Sequence, residues 1–262
     1  MPTLEINGAV LNYRLDGENS RAPLVMLSNS LASNLSMWDL QVPALVEAGF
    51  RVLRYDTRGH GESSVPPGPY SIELLATDAL RILDKLDIKQ AHFCGLSLGG
   101  MTAQKLATLH GDRLLSVALC ATAAYMGPAN LWDGRIAAVA SGGMAAVAET
   151  TIERWFTAES RQQLAAVARI KQGVLATPPA GYIACGEAIR DMDQRESIRA
   201  ISIPTLVLVG EQDPATPVEA ARLLQGRIAG AELVIIPNSQ HLFNVERASE
   251  FNAALLDFLR RH

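Results

Sequence analysis

The chain has 262 residues, of which 48% are apolar and 19% are charged, and its formal net charge is −4 at pH 7. This length and apolar content predict one large domain, with or without an insertion, and exclude a disordered protein. The mild acidity and the absence of any lysine and arginine cluster argue against nucleic acid and anionic membranes as partners.

Short apolar segments alternate with longer amphipathic ones, which is the pattern of helices packed on a mostly parallel sheet. At the N-terminus, Asn7-Gly8 joins Leu4–Ile6 to Val10–Tyr13 in a predicted edge hairpin. Six further strands are predicted, most of them apolar enough to be covered on both faces: Leu24–Leu27, Arg51–Arg54, Ala91–Cys94, Leu115–Leu119, Thr205–Val209 and Leu233–Ile236. The periodicity also predicts helices over Ser71–Leu86, Gly99–His110, Pro217–Leu224 and Ala248–Leu259.

The alternation of strand and helix stops between about Tyr125 and Ile201. This segment has no strand-like pattern, and its periodicity predicts four helices: Ala129–Ala140, Met144–Phe156, Arg161–Leu175 and Ala180–Asp191. A long helical insertion in an α/β sheet suggests a lid over a site. We therefore expect residues 1–124 and 202–262 to form an α/β core and residues 125–201 to form a helical cap.

The cysteines and the apolar segments indicate the compartment. Cys94, Cys120 and Cys185 form an odd, widely spaced set that fits neither a disulfide framework nor a zinc site, so reduced thiols are expected. Residues 1–7 lack the basic-then-apolar pattern of a signal peptide. One uncharged stretch, residues 114–132, is interrupted by Gly127-Pro128 and is interpreted as a strand and a loop. We expect a cytoplasmic protein that binds no membrane.

The strongest chemical signal is Gly95-Leu96-Ser97-Leu98-Gly99. The motif alone is weak, but it lies between a predicted strand and a predicted helix, which is the setting of a nucleophile elbow. Such a turn holds the serine in a strained backbone conformation, and the flanking glycines remove side chains that would clash there. Ser97 is therefore the predicted nucleophile, and the context disfavours a glycine-rich turn with an idle serine.

A serine hydroxyl needs a base to take its proton, and the chain offers five histidines. We predict His241 as the base, because it follows the last predicted strand in a loop that can reach over the strand ends. We predict Asp213, which follows the strand Thr205–Val209, as the carboxylate that orients the imidazole. Glu211, two residues earlier, remains an alternative. The order Ser97, Asp213, His241 is the one that α/β-hydrolases use.

The oxyanion formed during acyl transfer needs two backbone N–H donors. Leu98, the residue after the nucleophile, is one predicted donor. The loop after Leu24–Leu27 reads Ser28-Asn29-Ser30-Leu31-Ala32-Ser33, and Leu31 is the second predicted donor. An ordinary polar loop remains the alternative interpretation.

Two further groups of residues could belong to the site. Asp56-Thr57-Arg58-Gly59-His60-Gly61 is interpreted as architecture, in which the charged side chains brace a loop, and a direct role for His60 is disfavoured. Trp132 and Arg135 share a helix face in the expected cap. The guanidinium of Arg135 could hold a substrate carboxylate in bidentate fashion. A solvated arginine beside a core tryptophan is the alternative.

On these residues the chain resembles the α/β-hydrolases and, among them, the 3-oxoadipate enol-lactonases. The resemblance covers almost the whole chain, and its most specific feature is Asn29-Ser30, because most relatives in the superfamily have His-Gly there. Such lactonases usually have Gly-Thr where this chain has Ala32-Ser33, and Met where it has Leu98. The other matching segments are Met37-Trp38-Asp39, Arg54–Gly61, His92–Ser97, Arg154-Trp155-Phe156-Thr157 and Ala188–Asp191.

The resemblance implies an α/β-hydrolase fold, with a mostly parallel eight-stranded sheet flanked by helices and a cap inserted after the sixth strand. It implies a carboxylic-ester hydrolase that opens 3-oxoadipate enol-lactone in aromatic compound catabolism, the β-ketoadipate pathway. No metal and no organic cofactor are expected, and the partner is a small lactone or ester. A carboxylesterase or cofactor-free perhydrolase is the alternative enzyme, and a binding protein with a vestigial triad is the alternative of another class. The oligomeric state is left open.

Overall fold

Eight strands form one sheet in the computed structural model, which describes residues 2–262. Their order is β1-β2-β4-β3-β5-β6-β7-β8, with antiparallel pairing of β1 with β2 and of β2 with β4, and parallel pairing elsewhere. Each strand contains the segment that the sequence predicts, which confirms the fold class. The strands are β1 (Thr3–Ile6), β2 (Ala9–Asp16), β3 (Leu24–Ser28), β4 (Arg51–Tyr55), β5 (Ala91–Leu96), β6 (Leu114–Cys120), β7 (Thr205–Gly210) and β8 (Glu232–Ile236).

Helices outside the expected cap flank the sheet, and the short helix Phe243–Glu246 packs on the last helix of the chain. The helix that follows Ser71 begins where the Ser71 hydroxyl accepts a hydrogen bond from the N–H of Leu74 at 3.1 Å, a standard N-cap. The sequence predicts Pro217 in the first turn of its helix. In the structure, Pro217 is the N-cap residue that precedes this helix. Two short helices, Val42–Glu47 and Phe243–Glu246, are not predicted from the sequence. The core helices are α1 (Val42–Glu47), α2 (Ile72–Lys85), α3 (Leu98–His110), α9 (Val218–Arg227), α10 (Phe243–Glu246) and α11 (Ala248–Leu259).

The chain between β6 and β7 is helical, as the sequence predicts, but it contains one more helix than expected. The prediction of a single helix over Arg161–Leu175 is wrong, because Leu164 has an extended backbone (φ −89°, ψ 112°) that separates two helices. Leu164 is partly buried against the core, so tertiary packing overrides its helix propensity. The helices are α4 (Asn130–Gly142), α5 (Ala145–Trp155), α6 (Ala158–Gln163), α7 (Ala165–Ala176) and α8 (Pro179–Asp191).

The two ends of this helical segment lie side by side. Tyr125 and Asp193 form an antiparallel bridge, and the N–H of Gln194 donates to the carbonyl of Ala124 at 2.8 Å. One cluster of buried apolar side chains extends from the sheet into the helical segment. We propose residues 125–201 as the cap of a core formed by residues 1–124 and 202–262, of which Met1 lies outside the described residues.

Burial of the cysteines and the lengths of the helices bear on two further predictions. Cys94, Cys120 and Cys185 are buried free thiols, as expected. Burial raises the pKa of the Cys185 thiol to about 12, so this thiol stays protonated at neutral pH. Within residues 2–262, no helix combines the length and the apolar character that a membrane crossing requires.

Candidate active site

Ser97 lies at a sharp turn between β5 and α3. Its φ of 57° is in the left-handed region, which a residue with a side chain adopts only at a cost. The turn is tight, because a Cβ atom on Gly95 would collide with the backbone of Gly99. The N–H of Ser97 donates to the carbonyl of Cys120 at 2.9 Å, and its carbonyl accepts from Thr122 Oγ1 at 2.9 Å. These contacts hold Ser97 in the geometry that a nucleophile elbow requires.

His241 and Asp213 form a buried pair at the carboxyl edge of the sheet. His241 lies between β8 and α10, and its Nδ1 is 2.8 Å from Asp213 Oδ2. The alternative acid, Glu211, is exposed, and its Oε2 accepts from the N–H of Asn238 at 3.0 Å. The carboxylate that contacts His241 is therefore that of Asp213.

The surroundings of Asp213 favour its ionised form. Oδ1 accepts from the N–H groups of Ala215 at 2.8 Å and Thr216 at 3.1 Å, and Oδ2 accepts from Thr216 Oγ1 at 2.7 Å. Burial alone would raise the pKa of Asp213, but the charge of His241 and the hydrogen bonds from His241 and Thr216 outweigh it. The pKa of Asp213 is therefore held below its usual range.

This lowered pKa predicts the acid side of the pH profile. Because Asp213 stays ionised, it takes up no proton of its own over this range, and we expect log(kcat/KM) for general-base catalysis to fall with a slope of no more than about one as the pH decreases. The measurement is kcat/KM for a neutral ester across the acid range, in buffers of constant ionic strength. A slope of two would show that the carboxylate of Asp213 also takes up a proton in this range, contrary to this geometry.

Ser97 and His241 line the same cavity, beneath the cap helices. The cavity and its mouth contain about 480 Å³ of space that no protein atom fills, part of which is open to solvent. The loop after β3 contributes Leu31 and Ala32 to the wall. The cap contributes Trp132, Arg135, Thr151, Arg154, Trp155, Tyr182 and Ile189.

The loop after β3 is docked on the elbow, because the N–H of Gly99 donates to the carbonyl of Asn29 at 2.9 Å. The Asn29 side chain braces this loop: its amide donates to the carbonyl of Tyr55 at 2.7 Å and accepts from Trp38 Nε1 at 3.0 Å. Leu31 lines the cavity, and its N–H donates no hydrogen bond to residues 2–262. Leu98, the other expected oxyanion donor, is the first residue of α3.

The sulfur of Met37 also fastens this loop. Met37 Sδ accepts from the N–H of Ser30 at 3.3 Å and from Ser33 Oγ at 3.1 Å. Met37 is buried, so without the sulfur the N–H of Ser30 would lack this partner in a site with little water. The loop that carries Leu31 is therefore held on both sides, by Asn29 and by Met37.

We expect Met37→Leu to lower kcat about three- to tenfold while the free energy of unfolding changes by less than about 1.5 kcal/mol. The substitution conserves volume but removes the acceptor, so the loop loses its position more than its packing. Ester hydrolysis and urea unfolding measure the two effects. Met26→Leu, a buried methionine of the opposite core cluster, is the matched control. Equal kcat values for the two variants would contradict a role for the sulfur.

Two arginines give the cap side of the cavity a positive charge. Arg135, predicted from the sequence, lies with its guanidinium carbon 4.5 Å from the centroid of the Trp132 ring, and its Nη2 donates to the hydroxyl of Tyr182 at 2.9 Å. Its Nε is buried without a hydrogen-bond partner among residues 2–262. Burial and the charge of Arg135 lower the pKa of Arg154, the second arginine. An anionic ligand would relieve the repulsion between them.

Arg154 is absent from the residues singled out as a site in the sequence. Its Nε donates to the carbonyl of Thr150 at 3.1 Å, one turn earlier on α5. The signal that could have found it is its place in Arg154-Trp155-Phe156-Thr157, one of the segments that match the lactonases. Neither Arg154 nor Arg135 forms an ion pair within the part of the chain that the structure describes.

The segment from Asp56 to Gly61 is the loop after β4, and its charged side chains fix it to neighbouring parts of the chain. Arg58 does not pair with Asp56 but with Asp78 of α2, at 2.5 and 2.7 Å. Asp56 accepts from the N–H of Leu35 at 2.7 Å. Burial lowers the pKa of His60 to about 4, so His60 is neutral. Within residues 2–262, no group of three or more His, Cys, Asp or Glu side chains could hold a metal ion.

The sheet order, the strained elbow serine and the helical segment after β6 define an α/β hydrolase. A family model of the alpha/beta hydrolase fold matches residues 23–248, and the chain belongs to this family.

Among its relatives, the chain is 40% identical over 262 residues to 3-oxoadipate enol-lactonase 2 of Acinetobacter baylyi, covering 99% of this chain and 96% of that protein. The crystal structure of the enol-lactonase from Burkholderia xenovorans LB400 superposes with a TM-score of 0.96 at 44% identity, covering 99% and 100% of the two chains. A thermophilic esterase from Thermogutta terrifontis superposes with a TM-score of 0.91 at 28% identity, over 99% and 96%. The protein is a carboxylic-ester hydrolase similar to the 3-oxoadipate enol-lactonases.

Proposed function

We propose that this protein opens the ring of 3-oxoadipate enol-lactone with water, in the catabolism of aromatic compounds. The observation that carries the substrate assignment is the pair of arginines, Arg135 and Arg154, in the cavity that Ser97 and His241 also line. A lactone that bears a carboxylate supplies the anion that these two guanidinium groups lack. The similarity to enol-lactonases supports the same substrate. The proposal includes a cytoplasmic location and no nucleic-acid or membrane partner.

The first half of the reaction forms an acyl-enzyme. As Ser97 Oγ attacks the lactone carbonyl, His241 takes its proton. Asp213 keeps the other imidazole proton on Nδ1. The N–H groups of Leu31 and Leu98 stabilise the tetrahedral oxyanion. When the intermediate collapses, the bond between the carbonyl carbon and the ring oxygen breaks. The leaving enolate oxygen takes its proton from His241.

The second half releases the open-chain product. The enol becomes a ketone, which makes ring opening effectively irreversible. A water molecule gives a proton to His241 as its oxygen attacks the acyl carbon bonded to Ser97 Oγ. The bond between this carbon and Ser97 Oγ then breaks, and His241 returns the proton to Oγ. The product has a second carboxylate, formed at the site of attack, while the first remains beside Arg135 and Arg154.

Arg135 is proposed to orient the lactone through its carboxylate. A guanidinium binds a carboxylate with two parallel hydrogen bonds, and the face of the Trp132 ring supports its plane. Tyr182, which already accepts from Arg135, keeps the group pointed along one direction. Trp132 and Arg135 therefore determine how the lactone lies relative to Ser97.

The test compares wild-type turnover of 3-oxoadipate enol-lactone, followed by its ultraviolet absorbance, with turnover of p-nitrophenyl acetate, a neutral ester. A carboxylate held by a guanidinium predicts a kcat/KM for the lactone at least about 100-fold higher. Slow turnover of the lactone beside rapid hydrolysis of the neutral ester would assign the protein to a related esterase instead.

A further inference from the structure

Glu246, the last residue of α10, connects the loop of the proposed base to the cap. Its side chain is buried, with 5% of the residue exposed. Oε2 accepts from the N–H of Gln240 at 2.6 Å, and Oε1 accepts from the N–H of Thr157 at 2.7 Å. Gln240 directly precedes His241, and Thr157 lies between α5 and α6 of the cap. A single carboxylate therefore binds both segments.

A carboxylate is a costly side chain to bury here, because Glu246 forms no ion pair within residues 2–262. Only the two amide hydrogen bonds compensate for its desolvation. An uncharged side chain of the same size would avoid this cost. A glutamine would not accept both hydrogen bonds in the same way, because its amide offers one acceptor oxygen and a carboxylate offers two. Because the two N–H groups bind different oxygens of Glu246, a glutamine would turn its NH₂ group toward one of these donors.

The loop of the base and the end of α5 are also joined through the residue that follows His241. The N–H of Leu242, directly after the base, donates to the carbonyl of Trp155 at 3.0 Å. The Trp155 ring lies along the imidazole, with centroids 6.4 Å apart and planes inclined by 25°. His241 is thus held between two residues, Gln240 and Leu242, that are both fastened to the end of α5 and the turn after it.

We propose that Glu246 is a positioning residue that sets His241 relative to Ser97 by holding the base loop against the cap. Glu246 is not among the residues that line the cavity, so it acts through the backbone of Gln240 and Thr157. The inference rests on the proposed function only in that His241 is the base. It applies to any ester that Ser97 attacks, whether or not the lactone is the substrate.

The experiment measures kcat and KM for p-nitrophenyl acetate, together with the rate at which a fluorophosphonate labels Ser97. We expect Glu246→Gln to lower kcat and the labelling rate about tenfold, with KM within about twofold of wild type, because one of the two hydrogen bonds is lost. The matched control is Glu211→Gln, which alters an exposed carboxylate that also accepts from a loop amide, that of Asn238. It should leave both rates unchanged.

A second pair of variants removes the donor instead of the acceptor. Thr157 has φ −56° and follows Phe156 in an extended conformation, so proline fits the backbone there while it eliminates the N–H. Thr157→Pro is expected to reproduce the loss of kcat, whereas Thr157→Ala, which removes only the hydroxyl that caps α6, should not. This pair tests the proposal even where a Glu246 variant fails to fold.

Wild-type values of kcat and labelling rate in folded Glu246→Gln would overturn the proposal. So would a loss of kcat in strict proportion to the folded fraction, since that is the signature of a purely structural contact. Both measurements, hydrolysis of a neutral ester and labelling of Ser97, are independent of the lactone. They would test the role of Glu246 even if the lactone were not the substrate. The two proposals therefore fail separately.

Discussion

Ser97→Ala is expected to lower kcat for lactone ring opening by on the order of 10⁴-fold or more, while the enzyme still binds the lactone. The substitution removes the attacking oxygen but leaves the arginines and the N–H groups of Leu31 and Leu98 in place. Turnover is followed by the ultraviolet absorbance of the lactone, and binding is measured by calorimetric titration of the variant with the open-chain product. Binding without turnover would assign the nucleophile to Ser97.

A buried serine–histidine contact away from the cavity provides a control for Ser97. Ser116 Oγ lies 2.8 Å from His92 Nδ1, and both side chains are buried. Burial lowers the pKa of His92 to about 4, and neither residue lines the cavity. Ser116→Ala should keep full labelling by a fluorophosphonate, whereas Ser97→Ala should lose it. Labelling that survives in Ser97→Ala would contradict the proposed nucleophile.

The sheet was predictable because its determinants are local. Segments such as Ala91–Cys94 and Thr205–Val209 are short and apolar, and turns bound them, so periodicity and length suffice to assign them. The break at Leu164 was not predictable, because the extended conformation depends on burial against the core. The helices α1 and α10 were not predictable either, because they are too short to show a helical period.

The acid that contacts His241 has a local signature in the sequence. Asp213 and Glu211 are only two residues apart, and position after β7 does not separate them. However, an aspartate whose carboxylate binds the N–H groups two and three residues later forms an Asx-type turn. The sequence Asp213-Pro214-Ala215-Thr216 suits that turn, and glutamate is too long for it. Local turn chemistry therefore favours Asp213.

Ala32 lies at a backbone position that favours the glycine usual in the relatives. Its φ is 61°, in the left-handed region where glycine costs least, and the lactonases usually have Gly-Thr at Ala32-Ser33. The loop keeps this conformation because Asn29 and Met37 fasten it on both sides. Contacts of this kind, like the one between Thr157 and Glu246 across 89 residues, have no local signature in the sequence.

Arg135→Gln is expected to lower kcat/KM for 3-oxoadipate enol-lactone about 10- to 100-fold, which is the effect of losing a charge-assisted bidentate contact. Turnover of p-nitrophenyl acetate should stay within about twofold of wild type, because a neutral ester makes no such contact. The difference between the two substrates isolates the carboxylate from any general damage to the site. Arg154→Gln should act in the same direction.

Arg169→Gln is the matched control, since Arg169 is a cap arginine with 63% of its side chain exposed and lies outside the cavity. It removes the same charge from the cap, so an unchanged lactone rate would exclude a long-range field effect. An equal loss for both substrates in Arg135→Gln would instead mean that Arg135 supports the cap through Trp132 and Tyr182. The cavity would then select its substrate by shape, and the assignment of an anionic lactone would lose its physical basis.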